Sequence, residues 1–537
     1  MASLSPETIP VLLKEGKTSL GIEFGSTRIK AILIAPDGTV LASGAHEWHD
    51  DLEKGVWTYS QEKIHAGLTD SYLQLKQDVL ARYGVTLENI GSIGISAMMH
   101  GYLAFDENMH LLTPFRTWRN TITEQAAEEL TNLFQFNIPQ RWSIAHLHQA
   151  ILNGEDHVRQ IRHITTLAGY VTYLLSGEKV LGIGDAAGMF PIDSSALTFD
   201  ARMLKVYSEK IQPYAFPWTI DAILPRVLPA GEQAGVLTSE GAKLLDPSGD
   251  LKPGTPLCPP EGDAGTGMVA TNSVAARTAN VSAGTSVFAM VVLEHELSRL
   301  HTEIDMVTTP DGLPVAMVHC NTCTSDINAW AGLFADFAHR AGLTLSAGDL
   351  YTLLFESAKE GAVDGGNLVS YNYFSGEPVT GTSSGVPLMT RRPDAALDLP
   401  TFMRVQIYSA LATLAIGMKT LTEEEKVSID SVLGHGGLFK TPGVAQSILA
   451  AAIKTPVTVL ETASEGGPWG MAILARYMLD KKDGEALDDW LNTHIFSDMP
   501  STTLQPAPKE IEGFEAYLKQ YLAVLDSERA AAKALME

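Results

Sequence analysis

Apolar and polar positions fall into two blocks of similar design. Residues 19–24, Ser-Leu-Gly-Ile-Glu-Phe, carry a single charge, Glu23, and predict a strand. Gly25-Ser26-Thr27 predicts a turn, residues 29–35 a second strand, Pro36-Asp37-Gly38 a turn and residues 39–43 a third strand. From residue 61 to 81 the period changes. Ile64, Leu68, Tyr72, Leu75 and Val79 recur at helical spacing, and residues 93–98 then predict a short buried strand. The second block opens with a strand at 277–282, a turn at Ala283-Gly284-Thr285-Ser286 and a strand at 287–293. Gly25 and Gly284 hold corresponding places, about 260 residues apart, far beyond a solenoid period. The pattern reads as one domain duplicated, each half offering a glycine turn to a shared cleft. The plainer reading is that Gly-Thr and Gly-Ser turns punctuate many hairpins.

Helix and strand alternate through the rest of the chain. Residues 399–421 predict a long helix with Phe402, Met403, Ile407, Leu411, Leu414 and Met418 on its buried side. A strand at 427–433, a His435-Gly436-Gly437 loop, a helix at 443–453 and a strand at 457–460 follow. Glu465-Gly466-Gly467 leads into a further helix, and the Ala-, Lys- and Glu-rich tail from about Phe514 predicts a peripheral helix. Such alternation implies an α/β sheet with ligands at the strand ends.

Composition narrows the class. A chain of 537 residues is too long for one ordinary core, and an apolar fraction of 45% excludes wholesale disorder and collagen-like architecture. With 38 basic against 63 acidic residues the net charge is -25, which disfavours nucleic-acid backbones and anionic membranes as partners. A small anion in a local pocket stays compatible with that charge. Cys258, Cys320 and Cys323 cannot build a disulfide framework, and the lone CxxC of Cys320 and Cys323 reads as structural thiols rather than zinc ligands. Sparse cysteine fits a reducing cytoplasm. The opening MASLSPETIPVLLKEGK lacks a basic start followed by an apolar stretch. No apolar run approaches the ~20 residues of a membrane span; residues 407–418 are interrupted by Tyr408, Ser409 and Thr413 and read as buried helix.

Phosphoryl transfer from ATP needs amides in tight glycine turns, hard oxygen ligands for a divalent metal, and a carboxylate base for a hydroxyl acceptor. The chain offers each part. Gly25, Ser26 and Thr27, followed by Lys30, make one turn, and Gly284, Thr285 and Ser286 another. Neither is a GxxxxGK[ST] loop. Glu23 is a charge inside a strand, costly unless paired or holding a metal; the alternative is an edge-strand carboxylate facing water. Asp263 sits among small residues in Pro260-Glu261-Gly262-Asp263-Ala264-Gly265-Thr266-Gly267, as a base or as a helix cap. Gly434-His435-Gly436-Gly437 follows a buried strand and can lie flat against a nucleoside.

In order and spacing these pieces resemble the FGGY carbohydrate kinase family of the actin/hexokinase-like superfamily, with a layout similar to its xylulokinase-like members. The family opening GIDLGTTSVKA corresponds to residues 21–31, and its Met-His-Gly to Met99-His100-Gly101. Its WNDxR segment corresponds to Trp118-Arg119-Asn120-Thr121-Ile122, and DYLRYRLTGE…DASG to 169–178 with Asp185-Ala186-Ala187-Gly188. GGGDNAAGA corresponds to 260–266, the second phosphate turn to 282–286, and the adenosine motif to 434–437 with Thr441 and Gln446.

The resemblance implies an α/β fold of two actin-like (ribonuclease H-like) domains, 17–272 and 273–537, flanking a nucleotide-binding cleft. It implies a kinase using ATP and Mg²⁺ on a small sugar, most simply a ketopentose such as a xylulose- or ribulose-like substrate. Asp263 would be the general base. Glu23 would help hold Mg²⁺ through water, with Asp263 beside it. Gly25, Ser26, Thr27, Lys30, Gly284 and Thr285 would face the phosphates. Gly436, Gly437 and Thr441 would contact the adenosine. Met99, His100 and Trp118 would line the sugar pocket. Homodimers are frequent among the proteins it resembles.

Departures weaken transfer of the substrate. Glu23 replaces an Asp, Asn120 an Asp and Ile122 an Arg, the last two removing charge from the substrate side. His319, Cys320, Asn321 and Asp326 stand where the second lobe could approach the cleft, or pack and cap there. A hexulose, tetrulose or polyol kinase, or a catalytically silent nucleotide-binding sugar sensor, are the alternatives.

Overall fold

The computed structural model describes residues 7–395, 397–460 and 466–536; Glu465 and the first six residues of the opening segment lie outside the described residues. Two compact units emerge. One comprises 1–275, 306–315 and 463–499, the other 276–305, 316–462 and 500–537. Residues 463–499 thus pack with the first unit, although the sequence reading places them in the second domain.

The first unit is built on a five-stranded sheet. Its strands are β1 (Ser19–Phe24), β2 (Arg28–Ile34), β3 (Val40–Glu47), β4 (Ser92–Ala97) and β5 (Glu261–Gly262), in the order β5-β4-β1-β2-β3. β1 pairs antiparallel with β2, setting Glu23 opposite Lys30, and parallel with β4, setting Glu23 opposite Ser96. β1 is therefore a central strand, which removes the edge-strand reading of Glu23. The helix Gln61–Tyr83 starts at Ser60, whose Oγ accepts the Lys63 N–H at 3.3 Å, and ends at Gly84 with φ 63°. Its Ile64, Leu68, Tyr72, Leu75 and Val79 are all fully buried in the first unit's core, as their spacing predicts.

The second unit repeats the central motif. The strands of its sheet are β6 (Thr278–Ala283), β7 (Val287–Val292), β8 (Ile304–Thr308), β9 (Pro314–Cys320), β10 (Ser431–His435), β11 (Val457–Leu460) and β12 (Ser501–Leu504), of which β8 and the start of β9 carry residues grouped with the first unit. They form one sheet in the order β8-β9-β7-β6-β10-β11-β12. β6 pairs antiparallel with β7 and parallel with β10, as β1 does with β2 and β4. The duplication inferred from Gly25 and Gly284 is thus a repeat of strand pairing.

Two elements differ from expectation. The helix Leu399–Lys419 continues into a wider turn at Thr420–Glu424, where the Val427 N–H reaches back to the Leu421 carbonyl at 2.9 Å. That closure, with Lys426 at φ 58°, delays the next strand to Ser431. The span Leu399–Glu424 has the length and apolarity to cross a membrane, yet 83% of its most apolar window is buried in the protein. The tail helix Pro508–Met536 starts before Phe514 and buries Phe514, Tyr517 and Tyr521; Tyr517 donates to the Ser370 carbonyl at 3.2 Å and Tyr521 to the Tyr373 hydroxyl at 2.8 Å. It is packed into the second unit rather than peripheral.

The helix Gly466–Asp480 lies directly on β1. A Cβ on Gly21 would stand 2.0 Å from the Pro468 carbonyl oxygen and 2.6 Å from the Ala472 nitrogen. Both obstacles are backbone, so neither can rotate away. Gly21→Ala should cost about 1–3 kcal/mol through overpacking, read as a lower unfolding midpoint. An unchanged midpoint would contradict this packing.

Candidate active site

The hairpin turn after β1 is held by its carbonyls. The Gly25 N–H closes on the Arg28 carbonyl at 3.0 Å. Trp48 Nε1–H donates to the Gly25 carbonyl at 2.7 Å, Tyr59 OH to the Ser26 carbonyl at 2.6 Å, and the Trp48 N–H to the Thr27 carbonyl at 3.2 Å. Stacking of Trp48 on Tyr59, with centroids 4.1 Å apart, fixes those donors. Turning the carbonyls inward suits an anion, because backbone N–H groups of such a turn then face out. Thr27 at the tip is exposed and Ser26 half-buried. Trp118, also exposed, donates from Nε1 to Ser26 Oγ at 3.3 Å.

The second unit builds its turn by the same device from different residues. The Gly284 N–H closes on the Ser286 carbonyl at 2.9 Å. The Thr324 N–H and hydroxyl both reach the Gly284 carbonyl, at 3.1 and 2.7 Å, and the Cys323 N–H reaches the Thr285 carbonyl at 2.7 Å. Thr285 is exposed, and a Cβ on Gly284 would meet nothing within 4 Å. β10 brings the Gly436 loop alongside: Ser282 is opposite His435, and a Cβ on Gly436 would lie 2.4 Å from the Ala283 carbonyl oxygen. Gly436 also needs φ 103°, so only glycine fits. Gly436 and Gly437 are exposed, whereas Thr441 is buried.

In the first unit, Asp263 opens the helix Asp263–Ala270, one position past the cap residue Gly262. Its Oδ1 accepts the Met99 N–H at 3.2 Å. It keeps an exposed edge, yet the surrounding protein strips enough water to push its pKa up against the backbone N–H groups that favour the anion. Glu23 is pushed up to about 8, first by lost solvation, then by the Asp263 charge, with Lys30 opposing. Its Oε2 is buried without a partner, and lies 1.5 Å from where a Cβ on Gly467 would be. Glu23 and Lys30 therefore share one neighbourhood with Asp263.

Met99 and His100 are brought to the same place. The Met98 N–H continues the sheet onto the Phe24 carbonyl at 2.9 Å, so the chain leaves β4 beside the end of β1. His100 and Gly101 both have positive φ, 71° and 86°. For His100 that conformation is strained. His100 Nδ1–H donates to the Gly188 carbonyl at 3.2 Å, which leaves Nε2 as an acceptor. Burial, with Arg141 adding, holds the imidazole well below its usual pKa and therefore neutral. A Cβ on Gly188 would stand 2.5 Å from His100 Nδ1 and 2.9 Å from Met99 Cε.

Several expected residues have other duties. Asn120 is buried and clasps the Trp57 backbone, with Nδ2 on its carbonyl and Oδ1 on its N–H, both at 2.8 Å. It is spent on that segment and not on a substrate. Gln446 donates from Nε2 to the Val457 and Thr502 carbonyls at 2.9 and 2.7 Å, tying β11 to β12. Cys320 and Cys323 are buried, with Cys323 pushed up to about 12 by burial, and no metal-ligating cluster occurs among the described residues. Asn321 donates to Glu377 and the Gly376 carbonyl, and Asp326 accepts from Trp330 Nε1 at 3.1 Å.

Two acids escaped the sequence reading. Asp185 is 1% exposed; Oδ2 accepts the Thr166 hydroxyl at 2.6 Å, and Oδ1 has no partner. Glu261 is equally buried, and its Oε1 accepts the Gly184 N–H at 3.2 Å. Asp185 stands in the stretch that matches the family's DASG, without a role assigned to it there; for Glu261 the signal is glycines at 182 and 184, set against an acid two residues before Asp263. Burial pushes Asp185 up to about 7, with Asp263 adding and Thr166 opposing. Between about pH 4 and 7 the unfolded chain has released this proton and the native protein has not, so the native state binds more protons and stability falls as pH rises. Asp185→Asn should therefore become more stable relative to the parent as pH increases from 4 to 7, measured by urea unfolding at each pH. A difference independent of pH would refute it.

Comparison with known proteins agrees with this geometry. Residues 18–269 match the N-terminal domain of the FGGY family of carbohydrate kinases, and residues 279–479 its C-terminal domain. The xylulose kinase of Escherichia coli is 23% identical over 291 residues, covering 52% of this chain and 55% of that protein. The chain spans about half the length of the curated relatives it matches. A ligand-bound xylulose kinase from Lactobacillus acidophilus is similar in structure, with a TM-score of 0.76, 16% identity, and coverage of 96% of this chain and 99% of that one. A gluconate kinase from the same organism has a TM-score of 0.76, 15% identity and the same coverages. The two units accordingly have the actin-like (ribonuclease H-like) α/β fold of these sugar kinases. The chain belongs to the FGGY family of carbohydrate kinases.

Proposed function

We propose that this protein transfers the γ-phosphate of ATP to a hydroxyl of a small uncharged sugar, a xylulose- or ribulose-like ketopentose first. The observation that carries the reading is Asp263: one carboxylate stands against the Met99–His100 loop and within electrostatic reach of Glu23. Oδ1 is held by the Met99 N–H, and the carboxylate takes the hydroxyl proton. A pKa raised by lost solvation makes it a stronger base than a carboxylate in water.

Each unit supplies a binding part. In the first, Gly25, Ser26, Thr27 and Lys30 bind phosphate oxygens, and Met99, His100 and Trp118 bind the sugar. In the second, Gly284 and Thr285 bind phosphate, and Gly436 and Gly437 bind adenosine, with buried Thr441 behind that loop in sequence. Neutral His100 offers Nε2 as an acceptor to a sugar hydroxyl. That neutrality, with Ile122 where the family has Arg, supports a ketose over a sugar acid.

The residues fit a Mg²⁺ that arrives with ATP. Glu23 and Asp263 repel one another, and Glu23 Oε2 has no partner. Two carboxylates completed by phosphate oxygens and water are a usual Mg²⁺ environment. The ion would neutralise charge on the transferring phosphoryl group. Exclusion of water, the competing acceptor, falls to closure around the sugar.

The test is ADP release with Mg²⁺–ATP against ketoses, aldoses, polyols and sugar acids. A signal with a ketopentose, lost by about 10³-fold or more in Asp263→Asn while ATP affinity stays within a few-fold, is expected. Equal loss of ATP binding would make Asp263 structural. Glu23→Asp should keep activity, and Glu23→Ala should raise the Mg²⁺ requirement; full activity in Glu23→Ala would remove its metal role. A flat panel with tight ATP binding would favour the silent sensor.

A further inference from the structure

Glu261 is the least expected charge in the first unit. It stands in β5, paired with β4 at Ser96, and its side chain is cut off from water. A buried carboxylate loses its hydration and must be met by donors. Here the donors are backbone. Oε1 accepts the Gly184 N–H at 3.2 Å while Oε2 has no partner, and lost solvation, with the Asp185 charge adding, pushes the carboxyl well above the usual carboxylate range against the N–H groups of Gly184, Gly262 and Asp185. Side chains have been cleared from around it. A Cβ at Gly182 would lie 2.3 Å from Oε1, one at Gly184 2.4 Å from Oε2, and one at Gly265 3.1 Å from Oε2.

What Glu261 grips leads to the sugar-facing residues along two short paths. The first runs through Gly184 and the single turn Ile183–Ala186 to Gly188, whose carbonyl holds His100 Nδ1 and whose bare Cα leaves room for Met99. The second runs along the chain through Gly262 to Asp263. A Cβ on Gly262 would stand 2.5 Å from Met99 Cγ and 3.3 Å from Asp185 Oδ1. The Met99 N–H to Asp263 bond joins loop and base directly, and behind it Glu261 and the Gly182 N–H to Pro260 carbonyl bond of 2.8 Å hold the two backbone segments together.

We propose that Glu261 is a positioning residue of the sugar site. Its carboxyl group, through Oε1, clamps residues 183–188 to β5 and so fixes the place of His100 and Met99 relative to Asp263. The proposal rests on the sugar-kinase reading for its kinetic consequence, but not for the clamp itself.

The experiment compares Glu261→Gln, which keeps the Oε1 acceptor and the shape, with Glu261→Ala, which removes both. For the sugar found in the panel, kcat/KM should fall by about 10- to 100-fold in Glu261→Ala, the scale of a small misplacement of reacting groups. The KM for ATP should stay within about twofold, and Glu261→Gln should stay within about threefold of the parent on both substrates. Hydrogen exchange supplies an arm independent of turnover: amides of 183–188 should exchange faster in Glu261→Ala and at the parental rate in Glu261→Gln. If Glu261→Ala does not fold, Gly184→Ala, which places a methyl against Oε2, should give the same split. Unchanged sugar kinetics and unchanged exchange in Glu261→Ala would overturn the proposal. So would proportional loss towards sugar and ATP, or a Glu261→Gln variant as damaged as Glu261→Ala. Should the parent phosphorylate no sugar, the kinase reading fails, and the exchange arm alone decides the clamp.

Discussion

Carboxylates withdrawn from water need donors, and in the first unit that need shapes the backbone. Glu23, Asp185, Glu261 and Asp263 all lie where lost solvation raises their pKa values. Asp185, Glu261 and Asp263 are met by peptide N–H groups and a threonine hydroxyl rather than by arginines, and Glu23 keeps an unpartnered Oε2. Peptide groups come close only where no Cβ intervenes, hence glycines at 182, 184 and 467 against Glu261 and Glu23. Paired arginines would have neutralised these acids. Weaker partners leave Asp263 with basicity, and leave Glu23 with a bare oxygen for a ligand.

The two hairpin turns show how a duplicated frame can keep a property while its residues diverge. Both turn their carbonyls into protein donors. In the first unit the donors are an indole, a phenol and one amide, on Trp48 and Tyr59. In the second they are amides and a hydroxyl from Cys323 and Thr324. The CxxC is explained there. Cys323 lends its backbone to Thr285, and its thiol is buried in the core.

Much of this was legible in the sequence, and the limits are physical. Local periodicity gives the helix at 61–83 and the strands around Gly25 and Gly284, because each element's buried face is written within its own span. Met99, His100 and Asp263 were legible as motifs, and the structure brings them together. Asn120 and Gln446 were not legible as structural residues, since their partners, Trp57 and Thr502, lie more than fifty residues away. The return of 463–499 to the first unit was hidden for the same reason. The bare Gly21 against the Pro468 carbonyl, and Trp469 Nε1 donating to the Gly38 carbonyl at 2.8 Å, record it.

Fold alone does not select the sugar. A xylulose kinase and a gluconate kinase superpose on this chain with the same TM-score, so one frame accommodates an uncharged ketose and a sugar acid. Selection must come from charge at the site. An acid needs a cation or several N–H donors to replace its hydration, whereas a ketose needs only a balance of donors and acceptors. In the proposed reading the sugar meets Asp263 and His100, a neutral ring that presents an acceptor. A second carboxylate brought to that pair would meet negative charge and a lone pair. Hydroxyls would donate to both, and that is the ground on which an uncharged sugar is proposed.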